Sequence, residues 1–216
     1  YAQMGRGKTE RIVAAAIANI AATISKLAFD ACMFNSQNFA FIKLPDEFTT
    51  GSSIMPHKKN PDVFELTRAR CNRLEALPFQ ITNNLPVGYF RDLQLTKEDF
   101  LPAFDEIKAI LSMVNAMMSQ VKVNEHILDD ARYDLMFSVE EVNRLAAAGV
   151  PFRDAYKKVG LDIEAGKFTP VKKVHHTHEG SIGNLCNDRI AALYQRTLDG
   201  FDFETYHKAF SHLLGR

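Results

Sequence analysis

The sequence predicts an all-α protein, a bundle of long helices followed by a small helical domain, and three observations lead there. Val13, Ile17, Ile20, Ile24, Leu27, Ala31 and Phe34 recur at alternating spacings of four and three, a heptad seam. Phe100, Phe104, Ile107, Leu111, Val114, Met118 and Val121 repeat that pattern. No convincing run alternates apolar and polar residues as a half-buried strand requires.

Taken in order, the first seam predicts one helix from about Lys8 to Phe34. Phe39 to Leu44 could form a short extended piece. Asn60 is placed to cap the next helix, with Pro61 at its first position and Asp62 following. That helix should run to about Asn83, with Pro78 kinking it or ending it early. Residues 84–96, with Pro86 and Gly88, read as a loop into the second seam helix. After Asn124 the candidate helices become short: Glu125–Arg132, Val139–Ala147, Phe152–Glu164, Ile190–Leu198 and Phe203–Leu213. Gly149-Val150-Pro151, Gly160, Gly166 and Thr169-Pro170 punctuate them. The expected organisation is therefore a long-helix segment, 1–123, carrying a distinctive loop at 49–62, and a helical C-terminal domain, 124–216. Only about three long helices are visible. Met113, Met117, Met118 and the Ala-rich first helix widen the apolar surface, so a bundle shared between several subunits is expected.

Composition narrows the function. The 216 residues are 46% hydrophobic and 24% charged, and 26 Lys plus Arg balance 26 Asp plus Glu. A formal net charge of zero gives no global field for nucleic acid or an anionic membrane. Cys32, Cys71 and Cys186 are odd in number and lack CxxC spacing, which suits a reducing, cytoplasmic compartment. No signal peptide is evident, and Asn19, Lys26 and Asp30 interrupt the Ala-rich stretch that comes nearest to a membrane span. The chain opens at Tyr1, without Met, directly into a helix, as expected of a piece of a longer protein.

The chemistry concentrates in Thr49-Thr50-Gly51-Ser52-Ser53-Ile54-Met55-Pro56-His57-Lys58-Lys59-Asn60-Pro61-Asp62. Hydroxyls of Ser52 and Ser53, the ammonium groups of Lys58 and Lys59, and the amides of a helix start converge within a few residues. Such a place can hold a carboxylate or a phosphate. It is not a phosphate-binding P-loop, because Pro56 occupies the second Gly position and no Ser or Thr follows the lysines.

This string resembles the signature of the fumarase, aspartase and argininosuccinate lyase superfamily. The resemblance implies a mostly helical homotetramer with active sites built from three subunits, and no cofactor or metal. It implies that Ser52 takes a proton from the carbon beside a carboxylate and that Lys58 stabilises the resulting dianion. It also implies that Asn60 and Ser53 bind substrate and that Glu65 orients a histidine supplied from elsewhere. A second string, Tyr89-Phe90-Arg91-Asp92-Leu93-Gln94-Leu95-Thr96-Lys97, is similar to the argininosuccinate lyase segment whose Tyr, Gln and Lys hold the amino-acid end of the substrate. Tyr89, Gln94 and Lys97 would take those roles. Gly149-Val150-Pro151-Phe152-Arg153-Asp154-Ala155-Tyr156 resembles a stretch of the same family's small C-terminal domain. Two features depart from the family's pattern: His57 stands where Gln is common, and Asp134-Leu135-Met136-Phe137 differs from the usual segment.

The expected activity is reversible cleavage of argininosuccinate into arginine and fumarate in arginine biosynthesis. The alternatives are an adenylosuccinate or aspartate type of fumarate-releasing lyase, and a non-catalytic crystallin-like assembly protein. Because the family's upstream segments carry further site residues, this chain alone is expected to be inactive or nearly so. His175, His176 and His178, with Glu179, suggest a metal only weakly, since no complete ligand set is evident.

Overall fold

A computed structural model describes residues 1, 4–84 and 91–215. Two compact units are present, Tyr1–Ile127 and Leu128–Arg216.

The first unit is built on three long helices: α1 (Lys8–Phe34), α2 (Asp62–Asn84) and α3 (Thr96–Met118). Of the predicted seam, Ile17 and Ala31 are buried and Val13, Ile24 and Leu27 pack partly buried against the same core, but the fully buried stripe of α1 is shifted toward alanine. It is Ala14, Ile17, Ala21, Ala28 and Ala31, with alanines at heptad spacing. Small side chains let α2 approach α1 closely, and Phe64, Cys71, Leu74, Leu77 and Ile81 of α2 fill that interface. In α3 the buried apolar set is Ala103, Ile107, Ile110, Val114 and Met117; it shares Ile107 and Val114 with the predicted seam, whose Phe100, Phe104 and Val121 pack partly buried beside it, and is otherwise shifted from it. Both shifts have one cause: periodicity marks an apolar helix but does not select which apolar side faces inward.

Other apolar residues of these helices stay uncovered. Ile20 and Phe29 on α1 are 43% and 50% exposed, Phe79 on α2 is 70%, and Leu101 on α3 is 59%. Among the described residues α1 is also the one helix long and apolar enough to cross a membrane, despite the Asn19, Lys26 and Asp30 that interrupt it. Its alanine stripe is packed against α2.

Pro78 does not end α2, which continues to Asn84. Leu74, Leu77 and Ile81 are buried around it, and the Thr82 hydroxyl donates to the Pro78 carbonyl at 2.6 Å. Packing thus outweighs the one ladder bond that proline forgoes. Helix α2 also starts one residue later than predicted. The amides of Phe64 and Glu65 both donate to the Pro61 carbonyl, at 2.9 and 3.1 Å, so the first helical residue is Asp62 and Asn60 is not the cap.

After α1 the chain turns at Ala40, whose φ of 50° is rare for a residue with a Cβ. The turn lays Phe41 against Phe34, ring centroids 5.3 Å apart. It leads into β1 (Ile42–Lys43), which pairs antiparallel with β2 (Lys122–Val123) after α3. The sequence hinted at β1 but not at β2. This ladder ties the end of α3 to the end of α1. Arg73, Leu74, Leu77 and Gln80 of α2 border the same groove as Glu98, Asp99, Ala103 and Glu106 of α3, so α3 runs antiparallel to α2.

In the second unit, α4 (Ser138–Ala147) packs on α5 (Phe152–Glu164) around Val142, Ala155 and Val159. Residues 125–132, expected to be helical, instead form parts of two 3-10 turns, Ile127–Asp129 and Ala131–Phe137. The Asp130 side chain accepts from the Arg132 amide and starts the second of them. Helices α6 (Asn187–Asp199) and α7 (Phe203–Leu213) follow, and neither contains a buried residue.

The three histidines have structural partners. His176 Nε2 lies 3.1 Å from Glu140 Oε1 on α4, and its ring sits 5.4 Å from that of His178. The His175 ring occupies the space that a Cβ on Gly183 would need, and Gly183 has a φ of +99°. Among the described residues no group of three or more His, Cys, Asp or Glu is arranged to hold a metal.

Candidate active site

The loop between Thr50 and Asn60 is closed at its neck. Thr50 and Asn60 exchange backbone hydrogen bonds of 3.1 and 2.8 Å, forming an isolated antiparallel bridge. The Thr50 hydroxyl donates to the Asp62 carboxylate in the first turn of α2, which also suits that helix's positive end. Across the neck, Asn60 Nδ2 reaches toward the Gly51 carbonyl at 3.5 Å. Further out, the Lys59 ammonium pairs with Asp46, in the short 3-10 turn Asp46–Phe48.

Inside the loop, Ser52 Oγ accepts hydrogen bonds from the amides of Ile54 and Met55, at 3.2 and 3.1 Å. Two donors aimed at one hydroxyl oxygen favour its ionised form over its neutral form. The Lys58 amide donates to the Met55 carbonyl at 3.0 Å, which closes a turn behind it.

Beside the loop lies a cleft of about 660 Å³ lined by Asn35, Lys43, Met55, Lys58, Asn60 and Glu65, among others. Of the predicted residues, Lys58, Asn60 and Glu65 share this cleft, whereas Ser52 and Ser53 stay on the loop outside its lining. Asn35, Lys43 and Cys32 were not foreseen. No local motif marks them, because they arrive from the end of α1 and from β1. The Asn35 side chain holds that corner by accepting from the Leu44 amide at 3.1 Å. Burial raises the Cys32 thiol above its ordinary value, and the charge of Glu65 adds to this, so the thiol remains protonated.

Gln94 and Lys97 are elsewhere. Gln94 ends the 3-10 turn Arg91–Gln94, Lys97 opens α3, and both are exposed. With α3 antiparallel to α2, they stand at the opposite end of α2 from the loop. A helix of 23 residues spans about 35 Å. Tyr89 lies outside the described residues.

Asp46 provides a pH-dependent observable. The hydrogen bond from Lys59 and then its charge hold the Asp46 carboxyl below its ordinary 3.8, with Lys43 and Lys122 adding smaller effects. A carboxyl lowered on folding contributes stability above its unfolded value and loses that contribution as pH falls through the lowered folded value. The side chain is exposed, so the effect on stability is small. A carbon-detected NMR titration should place the Asp46 midpoint below 3.8. Lys59→Met should return the midpoint toward the ordinary value, and a midpoint unchanged by that substitution would remove the pair from the account.

With this geometry in place, comparison with known proteins becomes specific. The family model described as Lyase matches residues 10–75, the stretch that contains most of α1, the loop and more than half of α2. Argininosuccinate lyase from Bacteroides fragilis (strain YCH46) is 72% identical over 100% of the chain. Along its whole length the chain is similar to the C-terminal part of argininosuccinate lyases. A more distant member, argininosuccinate lyase from Stenotrophomonas maltophilia, is 36% identical over 90% of the chain. The chain covers 49% of the Bacteroides protein and 46% of the Stenotrophomonas one, so it spans about half the length of these curated relatives. The fold agrees with a solved structure, fumarate lyase:delta crystallin from Brucella melitensis bound to cobalt. There the TM-score is 0.59 at 20% identity, over 73% of this chain and 35% of that one.

Proposed function

We propose that this chain forms part of an enzyme that reversibly eliminates arginine from argininosuccinate, releasing fumarate. The observation that carries the reading is the cleft at the start of α2, where Lys58, Asn60 and Glu65 meet beneath a loop whose serine oxygen is already held by two amides. A sequence 72% identical to an argininosuccinate lyase supports this choice of substrate.

The chemical difficulty is the acidity of a carbon next to a carboxylate, since removing its proton places a second negative charge on a group already charged. Donors fixed in advance around those oxygens lower the barrier by about 3 kcal/mol each. In this reading Lys58 supplies one such donor and Asn60 a neutral second. Ser52, ionised by the local positive potential and its two amide donors, takes the proton. The carbanion's electron pair forms the double bond of fumarate. The carbon–nitrogen bond on the neighbouring carbon breaks, and the departing guanidino nitrogen takes a proton from an acid. Glu65 would orient that acid, a histidine belonging to another part of the enzyme. Tyr89, Gln94 and Lys97 would hold the amino-acid end of the substrate. Gln94 can accept from the ammonium and Lys97 can donate to the carboxylate.

The uncovered apolar faces of α1, α2 and α3 support assembly through the long helices, which we read as a homotetramer in the full-length protein. In this reading the first unit contributes to the assembled core. Free Cys32, Cys71 and Cys186 fit a cytoplasmic protein. The substrate is a small anion, and a balanced net charge offers no attraction to nucleic acid.

Fumarate absorbance is the test. A full-length protein carrying this half should release fumarate from argininosuccinate and not from adenylosuccinate or aspartate. The 216-residue chain alone should release little or none. Adenylosuccinate turnover by the full-length protein would overturn the substrate assignment, and robust turnover by the chain alone would overturn the need for the other half.

A further inference from the structure

The two-residue ladder of β1 and β2 sets Lys43 directly opposite Lys122. Like charges facing each other across an antiparallel pair weaken it. The ladder has one other register pair, Ile42 with Val123, to offset this. Both lysines are exposed, so burial does not hold them there. Packing within the ladder therefore does not explain two lysines at these positions.

Their surroundings do suggest a use. Lys43 borders both the cleft of about 660 Å³ and a neighbouring one of about 690 Å³, and Lys122 borders the second. Among the charged side chains that line the first cleft, Lys43, Lys58 and Lys59 stand against Glu65, a formal +2 with His57 neutral. Lys59 is already paired with Asp46. In the second cleft Asp46 and Glu47 face Lys43 and Lys122. Both lysines also help to lower the Asp46 carboxyl, so their fields overlap there. Nearby, Asp62 is engaged by the Thr50 hydroxyl.

We propose that Lys43 and Lys122 form a basic lip that draws small dicarboxylate anions toward the Lys58 cleft and raises their local concentration there. The two lysines touch no reacting atom, so they act as steering residues. Only the chemical identity of the anion rests on the function proposed above. Steering by exposed charges weakens as salt shortens the Debye length, from about 30 Å at 0.01 M to about 3 Å at 1 M.

The lip can be read without turnover. Two nitroxides of the same skeleton, one bearing a carboxylate and one an ammonium, are added in turn to the 216-residue chain, and relaxation of the amide protons of Met55, His57, Lys58, Lys59 and Asn60 is measured by NMR. At roughly 0.01 M salt the anionic probe should relax these amides at least about twofold more than the cationic one, and near 1 M the difference should vanish. In Lys43→Gln/Lys122→Gln the low-salt ratio should fall toward one, and Lys43→Arg/Lys122→Arg should restore it. A wild-type ratio at or below one, or a ratio unchanged by the glutamine pair, overturns the proposal. A chain that gathers the anionic probe here, within a full-length protein that releases no fumarate, keeps the lip and loses the lyase reading. The reverse pair of results does the opposite.

Discussion

Ser52→Ala in an assembled full-length protein is expected to lower fumarate release by about 10³-fold, the scale of a lost proton-transfer group. The fold should hardly register the change. Ser52 sits on a loop outside the buried core, and its hydroxyl accepts only two local amide bonds, from Ile54 and Met55. Losing such bonds where water can replace them costs about 1 kcal/mol or less. Those bonds also shape the loop, so alanine alone does not separate a chemical role from a conformational one. Ser52→Asn does, because a carboxamide oxygen can accept from the same pair of amides and rebuild the turn but cannot serve as an alkoxide base. Both variants should be inactive, with unchanged assembly mass and circular dichroism. Activity retained by the alanine variant would remove Ser52 from the proton transfer. Activity recovered by asparagine would reassign it to loop geometry.

The parts of this molecule that could be read from the sequence are those fixed by local rules. Helix α1 runs from Lys8 to Phe34 and α5 from Phe152 to Glu164, as periodicity and the flanking Gly and Pro predict. The loop at 49–62 stands out by its hydroxyls and lysines, and Lys58, Asn60 and Glu65 do line one cleft. What could not be read depends on tertiary partners. Ala14, Ala21 and Ala28 became the buried stripe because α2 needed close approach, and the helix pattern alone allows either side. Strand β2 is two residues whose only reason for being a strand is β1, some 80 residues earlier. Asn35 and Lys43 border the cleft because α1, β1 and α2 begin or end at one corner. The Asn60 cap failed for a related reason. Pairing of its backbone with Thr50 held Asn60 in the loop neck, and the helix began beyond it.

The separation of the loop from Gln94 and Lys97 leads to the second large effect. One substrate molecule cannot touch both ends of a helix about 35 Å long. If Lys58 holds the dicarboxylate end and Lys97 the amino-acid end, the two must come from different copies of the chain. Lys97→Ala removes a charge-assisted contact and should cost about 1.5–3 kcal/mol of transition-state binding, roughly 10- to 150-fold in kcat/KM. Ser52→Ala copies carry an intact Lys97, and Lys97→Ala copies carry an intact Ser52. Co-expressed in equal amounts and assembled at random, they should recover about one fully intact site in four, although the Ser52→Ala parent is inactive and the Lys97→Ala parent impaired. Recovery should track mixed assemblies isolated through two affinity tags and be absent when the separately purified parents are mixed without subunit exchange. Two outcomes separate the arrangements. Activity in the mixed assembly well above the average of the two parents places the loop and the α3 start of one site on different copies. Activity equal to that average means that each chain must supply both ends, which the antiparallel course of α2 and α3 forbids, and the assignment of Lys97 to the substrate would fall.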